Sequence, residues 1–418
     1  MKRIVSIAIA ALVLFSCVFS FNIFAAEVGE EFDLSQFDQE YYSKLKGKNI
    51  TLYVYNWGEY ISDGSEDSLD VIKVFEELTG IKVDYTTFDS NENMYSKIKS
   101  ESAYYDIVIP SDYMISRLIK EGKLAKLNYD NIPNAQYIDD RFTGDNCEYD
   151  PDNLYSVPYT WGTLGIIYNT KFVDEKDVGS WDLLWNEKYK GKILMIDNSR
   201  DAFAIAEKLL GYSMNTENPD EIAASAKKLE EQKPLLQAYV MDQVFNKMEE
   251  ENAWIAPYYV GDYLTMYEKN ENLEFCCPEE GTNLFTDALC VLERSKNKEA
   301  AEMFINFMCE PVISAENLSF IGYSTPMTAA RELMDEEVAN DPNAYPSADI
   351  LANTQTYIKL SDEANQLLDD YWIKNIRVNS LNVTFWIVVA VVAVAIVVVV
   401  FVAINAKKKK MAARNEVE

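Results

Sequence analysis

The sequence predicts an α/β protein of two lobes, followed by one C-terminal transmembrane helix. Strand and helix patterns alternate between residues 49 and 121 and again between 159 and 263, which is typical of parallel sheets with right-handed crossovers. An uncharged, valine-rich run covers residues 383–404 and is long enough to span a bilayer. With 418 residues, the chain is also long enough to build two hydrophobic cores.

The composition excludes several classes of protein. There is no histidine, the commonest general base and metal ligand, so we expect neither a metal site nor a cofactor. The net charge is −30 and the one basic run is at 407–410, so nucleic acid is not an expected partner. The six cysteines include no Cys-x-x-Cys pair; those from 276 to 309 are interpreted as small buried hydrophobes, and a disulfide stays open.

The two ends predict export and membrane attachment. Basic residues 2–3, the apolar stretch after them and the small-residue finish at Ala26 indicate a signal sequence over 1–26, with lipidation of Cys17 as an alternative. Residues 27–48 are interpreted as a polar spacer. The span at 383–404 is followed by four lysines, which favour a cytoplasmic tail at 405–418. The remaining chain is therefore expected on the outer face of the cell membrane.

The first lobe is predicted from residues 49–158 and 288–378. Its early elements are a strand within 52–60, a helix at 67–78 ended by Gly80, a strand at 81–85, a helix at 91–100, a strand at 105–109 and a helix from Ser111 to Glu121. Later helices are expected at 298–308, 315–320, 329–336 and 361–376.

The second lobe is predicted from residues 159–287. It begins with a strand at 161–168 that crosses between the lobes, and a segment at 286–292 returns the chain to the first lobe. Between them lie a short amphipathic segment at 181–185, a buried strand at 193–196, a helix at 202–210 and a strand at 254–259.

Several strands end in aromatic, hydroxyl or acidic side chains, and ligands of open α/β sheets sit at this edge. A cation buried there needs a paired charge, and aromatic faces attract it by about 0.5–2 kcal/mol each. The aromatic candidates are Trp57, Tyr60, Tyr113, Tyr259 and Phe285; the carboxylates are Asp201 and Asp262; the neutral acceptors are Ser111, Asn198 and Ser324. The alternatives are ordinary core packing for the rings, a helix N-cap for Ser111 and helix N-terminal electrostatics for Asp201.

Six segments together resemble the spermidine/putrescine-binding proteins of polyamine ABC transporters: residues 52–60, 105–113, 155–162, 181–191, 298–308 and 321–326. The resemblance covers about residues 48–375. It implies a two-lobed periplasmic-binding-protein fold of type II, a polyamine ligand enclosed by aromatic rings and carboxylates, and delivery to a permease with its ATPase. It also implies a monomer without catalytic activity.

The resemblance assigns ligand-binding positions to Trp57, Tyr60, Ser111, Tyr113, Asn198, Asp201, Tyr259, Asp262 and Phe285. Three positions depart from the family pattern. Gly58 stands where some members have threonine, Asn198 replaces an aspartate, and Tyr259 replaces a tryptophan of some members. Because one carboxylate is missing at residue 198, the resemblance does not distinguish the diamine putrescine from the triamine spermidine as the ligand. Tyr239 and Asp242 are further candidates for the site.

Two other functions remain in competition with polyamine binding. The same fold can bind another small solute, such as a sugar or a peptide. An exported hydrolase that uses paired carboxylates is the second alternative. The sequence has no Gly-x-Ser-x-Gly or His-Glu-x-x-His motif, so other hydrolytic chemistry is not supported.

Overall fold

The computed structural model describes residues 32–144 and 147–377. The predicted signal sequence, the run at 383–404 and the basic tail lie outside these residues. Within the described ranges, no helix is both long and apolar enough to cross a membrane.

Ten strands in the described ranges form a sheet that runs through both lobes, in the order β2-β1-β3-β9-β4-β7-β5-β6, with β8 beside β4 and β10 beside β9. The strands are β1 Thr51–Trp57, β2 Lys82–Phe88, β3 Ile107–Val108, β4 Ser156–Asn169, β5 Ile193–Ile196, β6 Leu236–Val240, β7 Ile255–Tyr259, β8 Leu273–Cys276, β9 Thr282–Val291 and β10 Thr354–Gln355.

The helices precede, connect and follow the strands of this sheet. They are α1 Gln39–Ser43, α2 Val71–Thr79, α3 Asn91–Ser100, α4 Asp112–Lys120, α5 Ser199–Leu209, α6 Pro219–Gln232, α7 Val244–Glu249, α8 Val260–Lys269, α9 Lys298–Met308, α10 Pro311–Ile321, α11 Thr328–Arg331, α12 Glu336–Ala339, α13 Ala348–Leu351 and α14 Asp362–Tyr371. Short 3₁₀ turns occupy Leu34–Gln36, Ser65–Asp67, Tyr129–Asn131, Pro133–Tyr137, Asp140–Phe142, Glu175–Asp177, Trp181–Trp185, Glu187–Tyr189 and Lys233–Leu235, and a π turn covers Trp372–Ile376.

The first three strands are parallel, as the alternation of strands and helices predicts. β1 pairs with β2 so that Trp57 lies opposite Phe88, and β1 pairs on its other side with β3. The predicted strand at 105–109 is reduced to two paired residues in β3. The carboxyl ends of β1, β2 and β3 therefore lie at one edge, where Ser111 also follows β3.

Helix α2 illustrates how the local sequence sets an element. The Asp70 side chain accepts a hydrogen bond from the backbone N–H of Lys73 and caps the first turn. Gly80 ends the helix with a φ of 72°, a conformation that glycine adopts without steric cost. Between these caps, Val71, Val74, Phe75 and Leu78 form the buried face. The predicted helical face and its C-terminal stop are confirmed.

The two lobes share β4 and β9, which run antiparallel to each other. β4 is buried along all 14 residues, and its register with β9 shifts between Pro158 and Thr160. Its last third pairs with β7 and β8 of the second lobe, whereas β9 ends beside β3 of the first lobe. The expected crossing strand at 161–168 and the return at 286–292 are therefore parts of longer strands. A third connection is β10, which pairs with the start of β9.

Each lobe has its own core. One large cluster of buried side chains includes α2, α9 and α10, and another includes β5, α5 and β7. The final segment differs from the predicted division, which assigned 288–378 to the first lobe. Leu360, Ala364, Leu368 and Ile376 pack into the second core, because α14 presents its apolar face to α6.

Two further expectations are corrected by the structure. The helix expected at 329–336 is two short helices, α11 and α12, because Asp335 leaves the helical conformation before Glu336. All five cysteines in the described ranges are free thiols. Cys290 and Cys309 are buried as expected, whereas Cys276 and Cys277 are only half-buried.

Candidate functional site

A cavity of about 700 Å³, including its opening to solvent, lies between the lobes at the carboxyl ends of β1, β3, β5 and β7. Such a volume suits a small molecule. The structure brings all nine sequence-predicted residues to its lining: Trp57, Tyr60, Ser111, Tyr113, Asn198, Asp201, Tyr259, Asp262 and Phe285. Of the additional candidates, Asp242 lines the cavity, whereas Tyr239 packs against Trp372 away from it. Ser324 is also elsewhere, since its hydroxyl donates to the Ala344 carbonyl.

The first wall is formed by two aromatic residues with different roles. Trp57 is half-buried at the end of β1, with its ring centroid 4.6 Å from that of Phe88. Tyr60 is buried, and its hydroxyl donates a 2.7 Å hydrogen bond to Asp287 Oδ2 and lies 2.6 Å from Thr160 Oγ1. Trp57 thus lines the cavity beside Phe88, while Tyr60 holds a carboxylate in place.

The Ser111 side chain is not used as a helix cap. Although Ser111 precedes α4, its hydroxyl makes no capping hydrogen bond and instead accepts one of 3.0 Å from Asn91 Nδ2. Its backbone forms a bridge with Asp287. The neighbouring Tyr113 hydroxyl donates 2.9 Å to Glu92 Oε1. The capping alternative therefore fails, and Ser111 presents its hydroxyl at the cavity.

Asn198 does act as a helix cap. Its side-chain oxygen accepts hydrogen bonds from the backbone N–H groups of Arg200 (3.0 Å) and Asp201 (3.4 Å) at the start of α5. An amide serves this purpose as well as a carboxylate. The structure thus gives Asn198 a local role in addition to its place in the cavity lining.

Asp201 is buried and has a neutral donor on each oxygen. Tyr259 donates 2.6 Å to Oδ2, and Tyr357 donates 2.8 Å to Oδ1. Burial raises the pKa of Asp201, although the two hydroxyls act in the opposite direction. Helix N-terminal electrostatics alone therefore do not explain this residue, which holds two tyrosine rings together at one end of the cavity.

Asp262 lies in the first turn of α8 and joins the lobes. It accepts a 2.8 Å hydrogen bond from the Tyr323 hydroxyl, and Gly261 packs directly against the Tyr323 ring. The pKa of Asp262 is raised to about 8, mainly by burial and also by the nearby Asp242 and Glu59 charges, while the Tyr323 hydroxyl acts in the opposite direction. A cation in the cavity would favour its ionised form.

Asp287 is the main functional candidate that the sequence reasoning missed. It is 4% exposed, Oδ2 accepts from Tyr60, and Oδ1 is buried without a hydrogen-bond partner. Its pKa is raised to about 6, mainly by burial, with the Ser111 and Tyr60 hydroxyls acting in the opposite direction. A signal was present: Asp287 follows Phe285 by two residues in β9, and residues i and i+2 of a strand share one face.

Aromatic rings close the side of the cavity around Phe285. Its ring centroid is 5.4 Å from that of Tyr259 and 6.1 Å from that of Tyr323, both in edge-to-face arrangements. Gly162 leaves room for this ring, since a Cβ there would lie 3.0 Å from Phe285 Cζ. Tyr323 and Tyr357, like Asp287, were not predicted, because they come from loops far along the chain.

The lining also contains one cation. Arg200 is buried, donates 2.7 Å from Nη2 to Asn215 Oδ1, and lies 4.5 Å from the Tyr357 ring centroid. Among the buried groups of the lining, three aspartates exceed this arginine by two negative charges when ionised, and the exposed Glu59, Asp89 and Asp242 add three more carboxylates. Within 32–144 and 147–377, no cluster of three or more His, Cys, Asp or Glu side chains is placed to hold a metal ion. The geometry suits a small organic cation.

The comparisons agree with this geometry. Residues 70–346 match the family model described as bacterial extracellular solute-binding protein. The spermidine/putrescine-binding periplasmic protein of Salmonella typhimurium is 36% identical over 327 residues, which is 78% of this chain and 91% of that protein. The putrescine-binding periplasmic protein PotF of Escherichia coli is 30% identical over 335 residues, 76% of this chain and 89% of that one.

A solved structure is similar as well. The spermidine/putrescine ABC transporter substrate-binding protein PotD from Streptococcus pneumoniae, in complex with calcium and HEPES, has 37% identity and a TM-score of 0.65. The match covers 78% of this chain and 98% of that one. These relatives are binding components of transporters and not enzymes. The chain belongs to the bacterial extracellular solute-binding proteins, with their two-lobed α/β periplasmic-binding-protein fold.

Proposed function

We propose that this protein captures a linear protonated polyamine between its lobes, outside the cytoplasm, and delivers it to an ABC permease. The observation that carries the proposal is Asp287 Oδ1, a buried carboxylate oxygen without a hydrogen-bond partner in an aromatic-lined cavity. Leaving such an oxygen unpaired is costly, whereas an ammonium group supplies both the charge and the donor. The names of the relatives support the same class of ligand.

The nine predicted residues and Asp287 divide this task by their chemistry. Trp57 and Phe285 provide flat surfaces for the methylene chain and attract the cationic ends. Asp262 and Asp287 neutralise ammonium groups, while Asp201 fixes Tyr259 and Tyr357 as a rigid end wall. Ser111 contributes a neutral hydroxyl oxygen, whereas the Asn198 oxygen caps α5 and its amide nitrogen faces the cavity as a neutral polar group. The excess of negative charge in the lining favours an ionised amine over a neutral solute.

Ligand binding would hold the lobes in the arrangement seen here. Tyr323 and Asp262 belong to different lobes, and their hydrogen bond spans the cleft. The exposed pair Lys269–Glu66, at 2.7 Å, also joins the two sides. A ligand that bridges the cleft stabilises this closed form, which a permease can distinguish from an open one.

We further propose that the run at 383–404 anchors the protein in the membrane, with residues 405–418 inside the cell. Its length and lack of charge, together with the lysines that follow, support this arrangement. Attachment keeps a binding protein near its permease in a cell without an outer membrane. Segment 1–26 would direct export, and the exported protein would act as a monomer.

Titration calorimetry on the exported portion with putrescine, spermidine and 1,4-butanediol tests the ligand class. The diol has the same carbon chain as putrescine but no charge. We expect at least one amine to bind and the diol not to bind. If neither amine binds at saturating concentration, or the diol binds equally well, the polyamine assignment is wrong and a sugar or peptide becomes the better candidate.

A further inference from the structure

The strongest remaining feature is the contact between Gly58 and Asp242 across the cleft. A Cβ on Gly58 would lie 2.7 Å from Asp242 Oδ2, closer than a real Cβ atom approaches another heavy atom. Gly58 follows β1 in the first lobe, and Asp242 follows β6 in the second. The φ angle of Gly58 is not in the left-handed region, so its backbone is open to other residues. The absence of a side chain at Gly58 therefore leaves space for the Asp242 carboxylate.

Asp242 stands at the mouth of the cavity. Asp242 is an exposed residue, and it belongs to the cavity lining. Its carboxylate nevertheless packs against the Gly58 backbone. Partial burial raises the pKa of Asp242, and the neighbouring Asp89 charge raises it further. Glu59, Asp89 and Asp242 thus place three exposed carboxylates where a long ligand would leave the cavity.

The charges of the buried residues in the cavity indicate which ligand would need the Asp242 carboxylate. The buried aspartates 201, 262 and 287 exceed the single buried Arg200 by two negative charges, which matches a diamine. Asn198, which the family pattern gives as an aspartate, contributes no charge and caps α5 instead. A ligand with a third ammonium group needs one more carboxylate. Glu59, Asp89 and Asp242 are the exposed carboxylates of the lining, and Asp242 is the one that packs against Gly58 across the cleft.

We propose that Asp242 pairs with the distal ammonium of a linear triamine, and that Gly58 is the residue that admits Asp242 to this position. The inference rests on the proposed function and adds a specificity determinant to it. The inner ammonium groups are neutralised by the buried aspartates, so a diamine does not depend on Asp242. A triamine extends to the mouth and does depend on it.

The test measures dissociation constants for spermidine and putrescine in variants at both positions. Asp242→Asn keeps the size of the side chain and removes its charge. We expect it to weaken spermidine binding about fivefold or more and putrescine binding less than about twofold. Gly58→Ala should produce the same selective loss, because its Cβ displaces the carboxylate. In an Asp242→Ala background, Gly58→Ala should have no further effect on spermidine.

Two matched variants remove the same charge without this contact. Glu231→Gln lies on the exposed surface of the second lobe and should change neither affinity. Asp89→Asn lies at the same mouth but does not contact Gly58, and should weaken spermidine less than Asp242→Asn does. Unfolding midpoints of all variants show that the fold is retained.

The outcomes separate this inference from the proposed function. If the wild-type protein binds neither amine, both fail. If it binds amines but Asp242→Asn weakens the two equally or not at all, or Asp89→Asn has the same effect, the triamine contact is wrong and polyamine binding stands. Additive effects of Gly58→Ala and Asp242→Ala would also overturn it. A selective, non-additive loss for spermidine supports it.

Discussion

The Tyr60 hydroxyl donates a 2.7 Å hydrogen bond to Asp287, and this contact links the end of the first strand to the strand that returns from the second lobe. It leaves the other Asp287 oxygen buried and without a partner. The pair therefore orients one carboxylate so that its free oxygen is available to a ligand. The affinity of the site for amines, and the dependence of that affinity on pH, should therefore depend on Asp287.

Asp287→Asn should weaken amine binding by about 2–4 kcal/mol, roughly 30- to 1000-fold, because it removes the charge opposite a buried ammonium. Calorimetry with putrescine and spermidine measures the loss. Tyr60→Phe is the matched control: it keeps the ring and removes the hydroxyl that holds Asp287. Its expected cost is about 1 kcal/mol. Equal affinities for wild type and Asp287→Asn would contradict the central role of this carboxylate.

Asp201→Asn should act mainly on stability. Asp201 accepts hydrogen bonds from Tyr259 and Tyr357, and an asparagine side chain has only one oxygen to accept them. We expect a loss of about 1–3 kcal/mol in the free energy of unfolding, measured in urea, with a smaller effect on amine affinity than Asp287→Asn has. A larger loss of affinity than of stability would show that Asp201 pairs directly with the ligand.

Amine affinity should increase with pH between about 5 and 9. The pKa of Asp287 is raised to about 6 and that of Asp262 to about 8 in the unliganded protein, while cationic amines bind the ionised carboxylates. Binding near pH 7 should therefore release protons, which calorimetry in buffers of different ionisation enthalpy detects. An affinity that is independent of pH over this range would contradict direct pairing with these residues.

The stability of the unliganded protein should change with pH in the opposite direction. Asp262 binds its proton more tightly when folded than when unfolded, so the folded state holds more protons between about pH 4 and pH 8. Its contribution is complete below pH 4 and is lost as the pH rises through 8. Asp262→Asn should flatten this part of the curve of unfolding free energy against pH; an unchanged slope would refute it.

Removing the residues after 377 should release the protein from membranes. The full chain is expected in the membrane fraction because of the apolar run at 383–404. The truncated chain should appear in the soluble exported fraction and bind amines as the full chain does. Replacing the four lysines at 407–410 with serine is a control that keeps the apolar run and should leave the protein attached. Release of the full chain would contradict the proposed anchor.

The sequence predicted the first βαβ units well because their signals are local. Apolar residues at helical spacing and a following glycine predicted the buried face and the C-terminal end of α2, although the helix begins at Val71 and not near residue 67. Helices α3 and α9 have the predicted bounds, Asn91–Ser100 and Lys298–Met308. The membership of α14 in the second core was not predictable in this way, since an apolar face does not specify which lobe it covers.

The sequence by itself determined which chemistry is present: aromatic and acidic side chains at the ends of successive strands, and the absence of histidine. The tertiary structure decided how each carboxylate is used. Asp201 receives hydroxyls from residues 58 and 156 positions away along the chain, Asp287 keeps one oxygen unpaired, and Asp242 meets Gly58 across the cleft. Hydrogen bonds of this kind join segments that become neighbours only when the lobes pack together, so no local pattern records them.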